Sequence, residues 1–304
     1  MAKTKRKSNN GTFFTVPVII SGTILVIILF SALFARVITP YDPEATDYSA
    51  SLARAFSPGH LLGTDRIGRD LFSRLLCGAQ TSIFNAILIV VFEVAVGVPI
   101  GMICGYYGGK IDELVMRIWD VVCAIPSLLL AFVLVAAFGK GTYSGVIAMG
   151  IVYTPLTAKL ARSLIMTEKT AVYVEAAKAL GYSNARIMFV HILPNIVTTM
   201  IAQFTLDIGS AITAMATLSY LGLGVQAPEA DWGTLLKDGM DMLYLNPVLL
   251  IAPALAVMIT AISINIFSDG IQAYIDPGQR KMPTFKQYRK KLLKTQKAGQ
   301  DNAA

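Results

Sequence analysis

Residues 175–181 read Glu175-Ala176-Ala177-Lys178-Ala179-Leu180-Gly181, and His191-Ile192-Leu193-Pro194-Asn195 closes the same segment. The stretch is mostly polar and helix-forming, yet it lies between two long apolar runs of a chain that is otherwise almost all membrane. A polar helix stranded at a membrane surface implies something for it to touch. Val172, Ala176, Ala179 and Leu180 fall on one helical side, with Glu175 and Lys178 elsewhere. Glu175 comes early, where a carboxylate favours the positive end of the helix dipole. Ala176 and Ala177 keep the surface shallow, so that a partner's groove can close around the backbone. Gly181 is free to take a positive φ, which ends the helix and turns the chain. Ser183 or Asn184 then caps a second helix through Arg186 and Phe189. Pro194 sits where the next apolar run begins, a position that tolerates a missing amide donor.

Composition supports a membrane setting. The 304 residues are 55% hydrophobic and 15% charged, and the mean hydropathy of +0.60 is too high for an ordinary soluble domain. The net charge is nevertheless +7, with basic residues gathered in Lys3, Lys5, Arg6 and Lys7 and again between Lys286 and Lys297. Beside a membrane domain such clusters mark cytoplasmic ends more simply than they mark nucleic-acid binding. Cys77, Cys104 and Cys123 have no metal-ligand spacing and read as small hydrophobes without a disulfide framework. The first apolar run follows a basic region but is too long for a signal peptide, so it reads as a retained span.

Six runs are long enough to cross a hydrocarbon core, which takes roughly 20 residues each. They are placed at 16–35, 83–105, 114–138, 144–166, 196–221 and 247–267. An even number puts both termini on one side, and the basic tails make that side the cytoplasm. Segments 106–113 and 167–195 are then cytoplasmic, whereas 36–82 and 222–246 are external. The organisation expected is a basic tail (1–15), a first span with its external loop (16–82), a core of five spans containing the 167–195 loop (83–277), and a second basic tail (278–304). Gly97, Gly101 and Gly105 form a flat stripe that admits another helix closely. Pro99, Pro126, Pro155 and Pro253 interrupt their helices and are expected to kink them.

The 167–195 segment also resembles the EAA signature of the membrane subunits of ATP-driven importers. The match consists of E-A-A, a glycine four residues after the second alanine, and Leu193-Pro194 twelve residues after that glycine. His191 departs from the aliphatic residue of the general motif, but H-x-L-P-N looks like the peptide/nickel branch. A second element, Gly63-Thr64-Asp65-Arg66-Ile67-Gly68-Arg69-Asp70 with Ser73-Arg74, resembles the G-T-D-x-x-G-R-D-x-x-S-R element of the second permease subunit of dipeptide, oligopeptide and nickel importers. Read locally, Thr64-Asp65 offers a helix cap, and Asp65, Arg69, Asp70 and Arg74 can pair at helical spacing. Structural anchoring of the second span is favoured there over substrate contact. Leu218 to Gly224, with Pro228 and Asp231-Trp232-Gly233, resembles the same family, and Trp232 is expected to anchor the chain at the outer interface. Met215 stands where relatives commonly carry an acid.

The resemblance implies an all-α integral membrane protein with the type I importer permease fold, in a bacterial or archaeal inner membrane. It implies a homologous second permease as heterodimer partner, two ATP-binding subunits holding ATP and Mg, and an extracytoplasmic solute-binding protein. Glu175, Ala176, Ala177, Gly181, Leu193 and Pro194 would dock the ATPase. The competing reading of this segment is an amphipathic helix lying on lipid.

No G-x-x-x-x-G-K-[ST] occurs, since Gly139-Lys140-Gly141 lacks the upstream glycine and the following hydroxyl, so this chain does not itself cradle ATP. His60 and His191 fall on opposite expected sides of the membrane and make no conventional metal site. No nucleophile–base pairing points to catalysis. Intramembrane acids are costly and default to functional candidates. Glu93 and Asp207 fall mid-span and, with Met215, are candidates for the pathway; Asp207 could attract the amino group of a peptide. The competing reading is a buried acid satisfied by a neighbouring helix. Asp120 and Arg117 are expected as an interfacial pair at the cytoplasmic end. The function expected is a pore subunit for di- or oligopeptides, with nickel or metallophore chelates as the alternative cargo. A gradient-driven secondary transporter is the rival of a different class, but it gives the E-A-A island no task and needs inverted repeats.

Overall fold

The computed structural model describes residues 15–275, so both basic tails, apart from Thr15, lie outside the described residues, as does the Asp276-Pro277 pair. Helix α1 (Val16–Leu33) is apolar on every side, with Pro17 in its first turn where no amide donor is needed. A single turn, α2 (Ala35–Ile38), leads into an irregular segment holding a 3₁₀ turn at Tyr48–Ala50. Asp70 then caps α3 (Leu71–Tyr107), its carboxylate accepting from the Ser73 amide at 2.8 Å. At 37 residues this helix is about 55 Å long. Its two ends therefore define two ends of the bundle.

Next come α4 (Gly109–Ala124), α5 (Ser127–Phe138) and α6 (Thr142–Glu168). After α6 follow α7 (Val172–Ala179) and α8 (Asn184–Arg186). The chain then widens into a π-helical stretch at Ile187–Ile192 before α9 (Leu193–Tyr220). Helix α10 (Trp232–Asp241) opens with a capping box between Asp231 and Thr234, and α11 (Val248–Ile275) completes the described residues. Among the described residues five helical stretches are long and apolar enough to cross a membrane: α1, α3, α6, the continuous run through α8 and α9, and α11.

The expected third span, 114–138, is not one helix. It is the pair α4 and α5, bent by 95° at Ile125-Pro126. Ile125 is extended (φ −85°, ψ 130°), as the residue before a proline prefers. Arg162 late in α6 pairs with Asp112 early in α4, whereas the Gly141 amide, just before α6, donates to the Leu223 carbonyl beyond the end of α9. The bent pair thus carries the chain from one end of the bundle to the other. The second span also begins earlier than expected, at Leu71 rather than near 83.

Helices α3 and α6 form the closest pair. A Cβ on Gly97, Gly101 or Gly105 would lie 2.9, 2.2 or 2.7 Å from the carbonyl oxygens of Thr154, Ala158 and Arg162. The glycine stripe therefore sets the helix spacing, as expected. Among the described residues two main apolar cores result, with a small third cluster of Ala35, Cys77 and Ala230. The larger joins α1, α3, α5, α6, α9, α10 and α11. The smaller gathers Val98 and Met102 of α3 and Ala161 and Ile165 of α6 with α7, the π stretch and the start of α9.

Candidate functional site

Helix α7 is seated by two residues and shows the rest of its surface. Val174 and Ala177 are buried in the smaller core. Val172 is 81% and Leu180 72% exposed, and Glu175, Ala176 and Ala179 are exposed with them. The apolar side read from the sequence is thus the outward one. Ala177, by contrast, packs against its own chain and is not on the presented surface. Gly181 has φ +76°. The Gly181 and Tyr182 amides donate to the Lys178 and Ala177 carbonyls, a Schellman ending that only a left-handed residue allows. Ser183 caps the next turn, accepting from the Arg186 amide at 3.4 Å.

Side chains hold α8 and the π turn to the bundle. The Tyr106 hydroxyl donates to Asn184 Oδ1 at 3.0 Å, and Lys169 Nζ donates to the Gly105 carbonyl at 2.8 Å. Tyr182 and His191 stack with centroids 5.4 Å apart, and the Arg186 guanidinium lies 4.4 Å from the Tyr182 ring centroid. The π turn carries His191 and Ile192 directly into Leu193 and Pro194. Leu193 is half-buried and Pro194 exposed. Instead of starting a separate span, Pro194 sits in one continuous helix, immediately after the π turn, where the change of register already interrupts the usual bonding.

Midway along the helices, α3, α6 and α9 line an open cavity of about 430 Å³. Glu93, Asp207, Gln203, Tyr153, Thr157 and Ser210 supply its polar wall, with Leu156 and Leu160 beside them. Gln203 Nε2 donates to Asp207 Oδ1 at 2.9 Å. Glu93 is 1% exposed, faces Asp207 and Thr157, and keeps Oε1 without a hydrogen-bond partner. The sequence marks the two acids separately; the structure brings them to one pocket. Met215 is not among its walls. It is buried in the larger core, its Cε 3.0 Å from where a Cβ on Gly145 would stand.

The G-T-D element builds a charged clamp at the opposite end. Asp65 Oδ1 accepts from the Ile67 and Arg69 amides and Oδ2 from Arg69 Nε at 2.6 Å. Arg69 and Arg74 reach Asp238 of α10 at 3.4 and 3.9 Å, and Arg74 also donates to the Pro43 carbonyl. Burial pushes the Asp238 carboxyl above its ordinary value, against the pull of Arg74 and Arg69. Asp70 pairs with His60 at 2.9 Å besides capping α3. Thr64 caps no helix; its hydroxyl bonds the Ala50 carbonyl and the Ala53 amide. Gly63 and Gly68 pass so close to this loop that a Cβ on Gly68 would stand 1.7 Å from the Asp47 carbonyl oxygen, and one on Gly63 2.3 Å from that of Ala53. These contacts tie the loop to α3 and α10, in keeping with anchoring.

The structure corrects two further expectations. Trp232 is 2% exposed and donates from Nε1 to the Leu75 carbonyl at 3.1 Å, so it packs inside the bundle instead of lying at the outer interface. Arg117 pairs with Glu113, and Asp120 with Lys159 at 2.7 Å, not with each other. One turn of α4 separates the first pair, while Lys159 reaches across from α6. The π turn and helix α10 go beyond the sequence expectations altogether. Pro194 is the only local hint of the first, and Asp231 with Thr234 three residues on of the second.

The family model described as "Binding-protein-dependent transport system inner membrane component" matches residues 97–281. A second, "N-terminal TM domain of oligopeptide transport permease C", matches residues 17–57. The probable D,D-dipeptide transport system permease protein DdpC of Escherichia coli (strain K12) is 38% identical over 257 residues, 84% of this chain and 86% of that protein. The glutathione transport system permease protein GsiD of Pectobacterium atrosepticum is 35% identical, covering 84% and 85%. The di/tripeptide transport system permease protein DppC of Pseudomonas aeruginosa is 38% identical, covering 83% and 85%. Among solved structures, the inward-facing MetNI methionine ABC transporter aligns with a TM-score of 0.56 at 16% identity, over 68% of this chain and 98% of that chain. That likeness is one of fold.

Proposed function

The chain belongs to the binding-protein-dependent transport system inner membrane component family, and on that footing we propose that it forms half of the pore of an ATP-driven importer of small peptides. The observation that carries the proposal is the outward apolar side of α7, Val172, Ala176, Ala179 and Leu180, beside exposed Glu175. Of two ATP-binding subunits, with ATP and Mg bound to them, one docks on this surface and the other on the partner permease. A homologous permease supplies the other half of the pore, and a solute-binding protein delivers cargo at the end that carries the G-T-D clamp. The α7 end faces the cytoplasm, as the basic tails require under the positive-inside rule. The chain itself hydrolyses nothing.

ATP-driven closure of the nucleotide-binding subunits moves α7, and through Val174 and Ala177 it moves the core that joins α3, α6 and α9. The pore then alternates between outward- and inward-facing states, each held by different contacts, with ATP supplying the bias. The three permease relatives carry dipeptides, tripeptides and glutathione by their names. Peptide is therefore the cargo class, and those relatives lend no support to nickel. The test is ATP turnover by the reconstituted complex with its binding protein across peptides and nickel chelates. Stimulation by peptides alone is the expected result; stimulation by nickel chelates alone overturns the cargo, and turnover indifferent to every cargo overturns coupling.

A further inference from the structure

The cavity between α3, α6 and α9 holds two carboxyl groups and no basic side chain among its lining residues. Buried carboxylates are stable only when paired or hydrogen-bonded. Here the pairing is incomplete. Asp207 has one amide donor, from Gln203, and otherwise meets the Glu93 carboxyl; Glu93, buried at 1% exposure and facing Thr157, leaves Oε1 unpartnered. At mid-span such a group faces protein or a water-filled path, because hydrocarbon cannot satisfy it. The cavity has room for a small polar group, about 430 Å³.

We propose that Glu93 and Asp207 form a transit site for the primary ammonium group of the peptide cargo. The inference rests on the reading of this chain as a peptide permease and names what its pathway recognises. An ammonium carries three donors and no acceptor. Two carboxylates and a neighbouring hydroxyl of Tyr153, Thr157 or Ser210 match that set, and the ligand brings the missing positive charge. A resident divalent metal fits less well. Hard cations take six or more oxygens, and among the described residues no group of three or more His, Cys, Asp or Glu side chains gathers to hold a metal. The site is a passing one, open on one side, as a pathway needs: cargo held too firmly would not leave.

The experiment uses the complete complex in proteoliposomes, with its binding protein, and follows labelled dialanine uptake and ATP turnover together. Three versions are compared: wild type, the amide pair Glu93→Gln with Asp207→Asn, and the charge-keeping exchange Glu93→Asp with Asp207→Glu. The amide pair is expected to lower uptake per ATP about tenfold, equivalent to roughly 1.4 kcal/mol. The charge-keeping exchange is expected to recover most of the loss. Wild-type import matched by the amide pair would overturn the inference alone, as would an exchange no better than the amides, since shape and not charge would then matter. A wild-type complex that hydrolyses ATP but imports no peptide would overturn the cargo reading, and the inference with it.

Discussion

Replacing Gly101 with alanine is expected to loosen the α3–α6 pair. The added Cβ would stand 2.2 Å from the Ala158 carbonyl oxygen, 2.8 Å from the Ala161 Cβ and 3.0 Å from the Ala158 carbonyl carbon. Two of the three are backbone atoms of a helix and none is a flexible tip, so no rotamer change relieves them. Non-bonded heavy atoms settle at about 3.5–4.0 Å, so the helices must part by roughly 1 Å at this crossing. Gly97 and Gly105, one turn either side on the same stripe, would lose contact with them. Overpacking costs about 1–3 kcal/mol, and alanine's better helix propensity returns about 1 kcal/mol. A clash at 2.2 Å with a backbone oxygen takes the upper end of the overpacking range, so a net loss of about 2 kcal/mol follows. The control is Gly22→Ala in α1, whose Cβ would meet Phe267 at an ordinary 3.4 Å. Thermal melting of both variants in one detergent decides the matter. A Gly101→Ala protein that melts at or above wild type would refute the close-packed reading of the stripe.

Gly181→Ala meets no atom within 4 Å but must hold φ +76°, a strain of about 1–2 kcal/mol. Expression should be unchanged and binding-protein-stimulated ATP turnover reduced; normal turnover would speak against α7 as a lever. Trp232→Phe loses the bond to the Leu75 carbonyl and should cost about 0.5–1.5 kcal/mol, whereas Trp232→Ala should cost about 3–5 kcal/mol; equal melting of the two would place the ring outside the core. Burial holds the Asp231 carboxyl above its ordinary value, against hydrogen bonds from Ser82 and the Gly233 amide that lower it. With the folded value raised, its contribution to stability is full below the unfolded value of about 3.9 and is lost as pH rises through the folded value. Asp231→Asn should flatten that decline in melting temperature, and parallel pH profiles would count against it.

The sequence is legible where one residue type has one structural consequence. Three glycines at four-residue spacing bring helices close, and Gly181 reads as a helix ending because no other residue takes positive φ as cheaply. It is less legible where several residues compete for one role. Thr64, Asp65 and Asp70 can all cap a helix, and tertiary contacts with residues 50–53 leave the task to Asp70. Pro126 announces an interruption but not its size, because a 95° bend depends on where α4 is held by Arg162 and Lys159. Trp232 illustrates the same limit: an indole fits an interface or a core equally well, and it is the approach of Gly78, 3.3 Å by the same Cβ measure, that admits it to the core. Glu93 and Asp207 are each visible as misplaced acids, but their meeting depends on the register between α3 and α9, which no local pattern encodes.

That register also explains why the pocket lies where it does. Helices α3 and α6 are locked backbone to backbone by the glycine stripe, so Glu93, Tyr153 and Thr157 keep a fixed relation to one another. Asp207 and Gln203 belong to α9, which reaches the same cluster through the π turn and the side chains of Ile192, Ile196 and Met200. Side-chain packing slides more readily than a backbone contact with no side chain between. The cavity wall is therefore joined backbone to backbone on two helices and through side chains and the π turn nearest α7 on the third. On the proposed coupling, a displacement of α7 would alter the spacing between Glu93 and Asp207 before it altered anything within the α3–α6 pair. The two mid-span acids would then stand on opposite sides of the seam that coupling has to move.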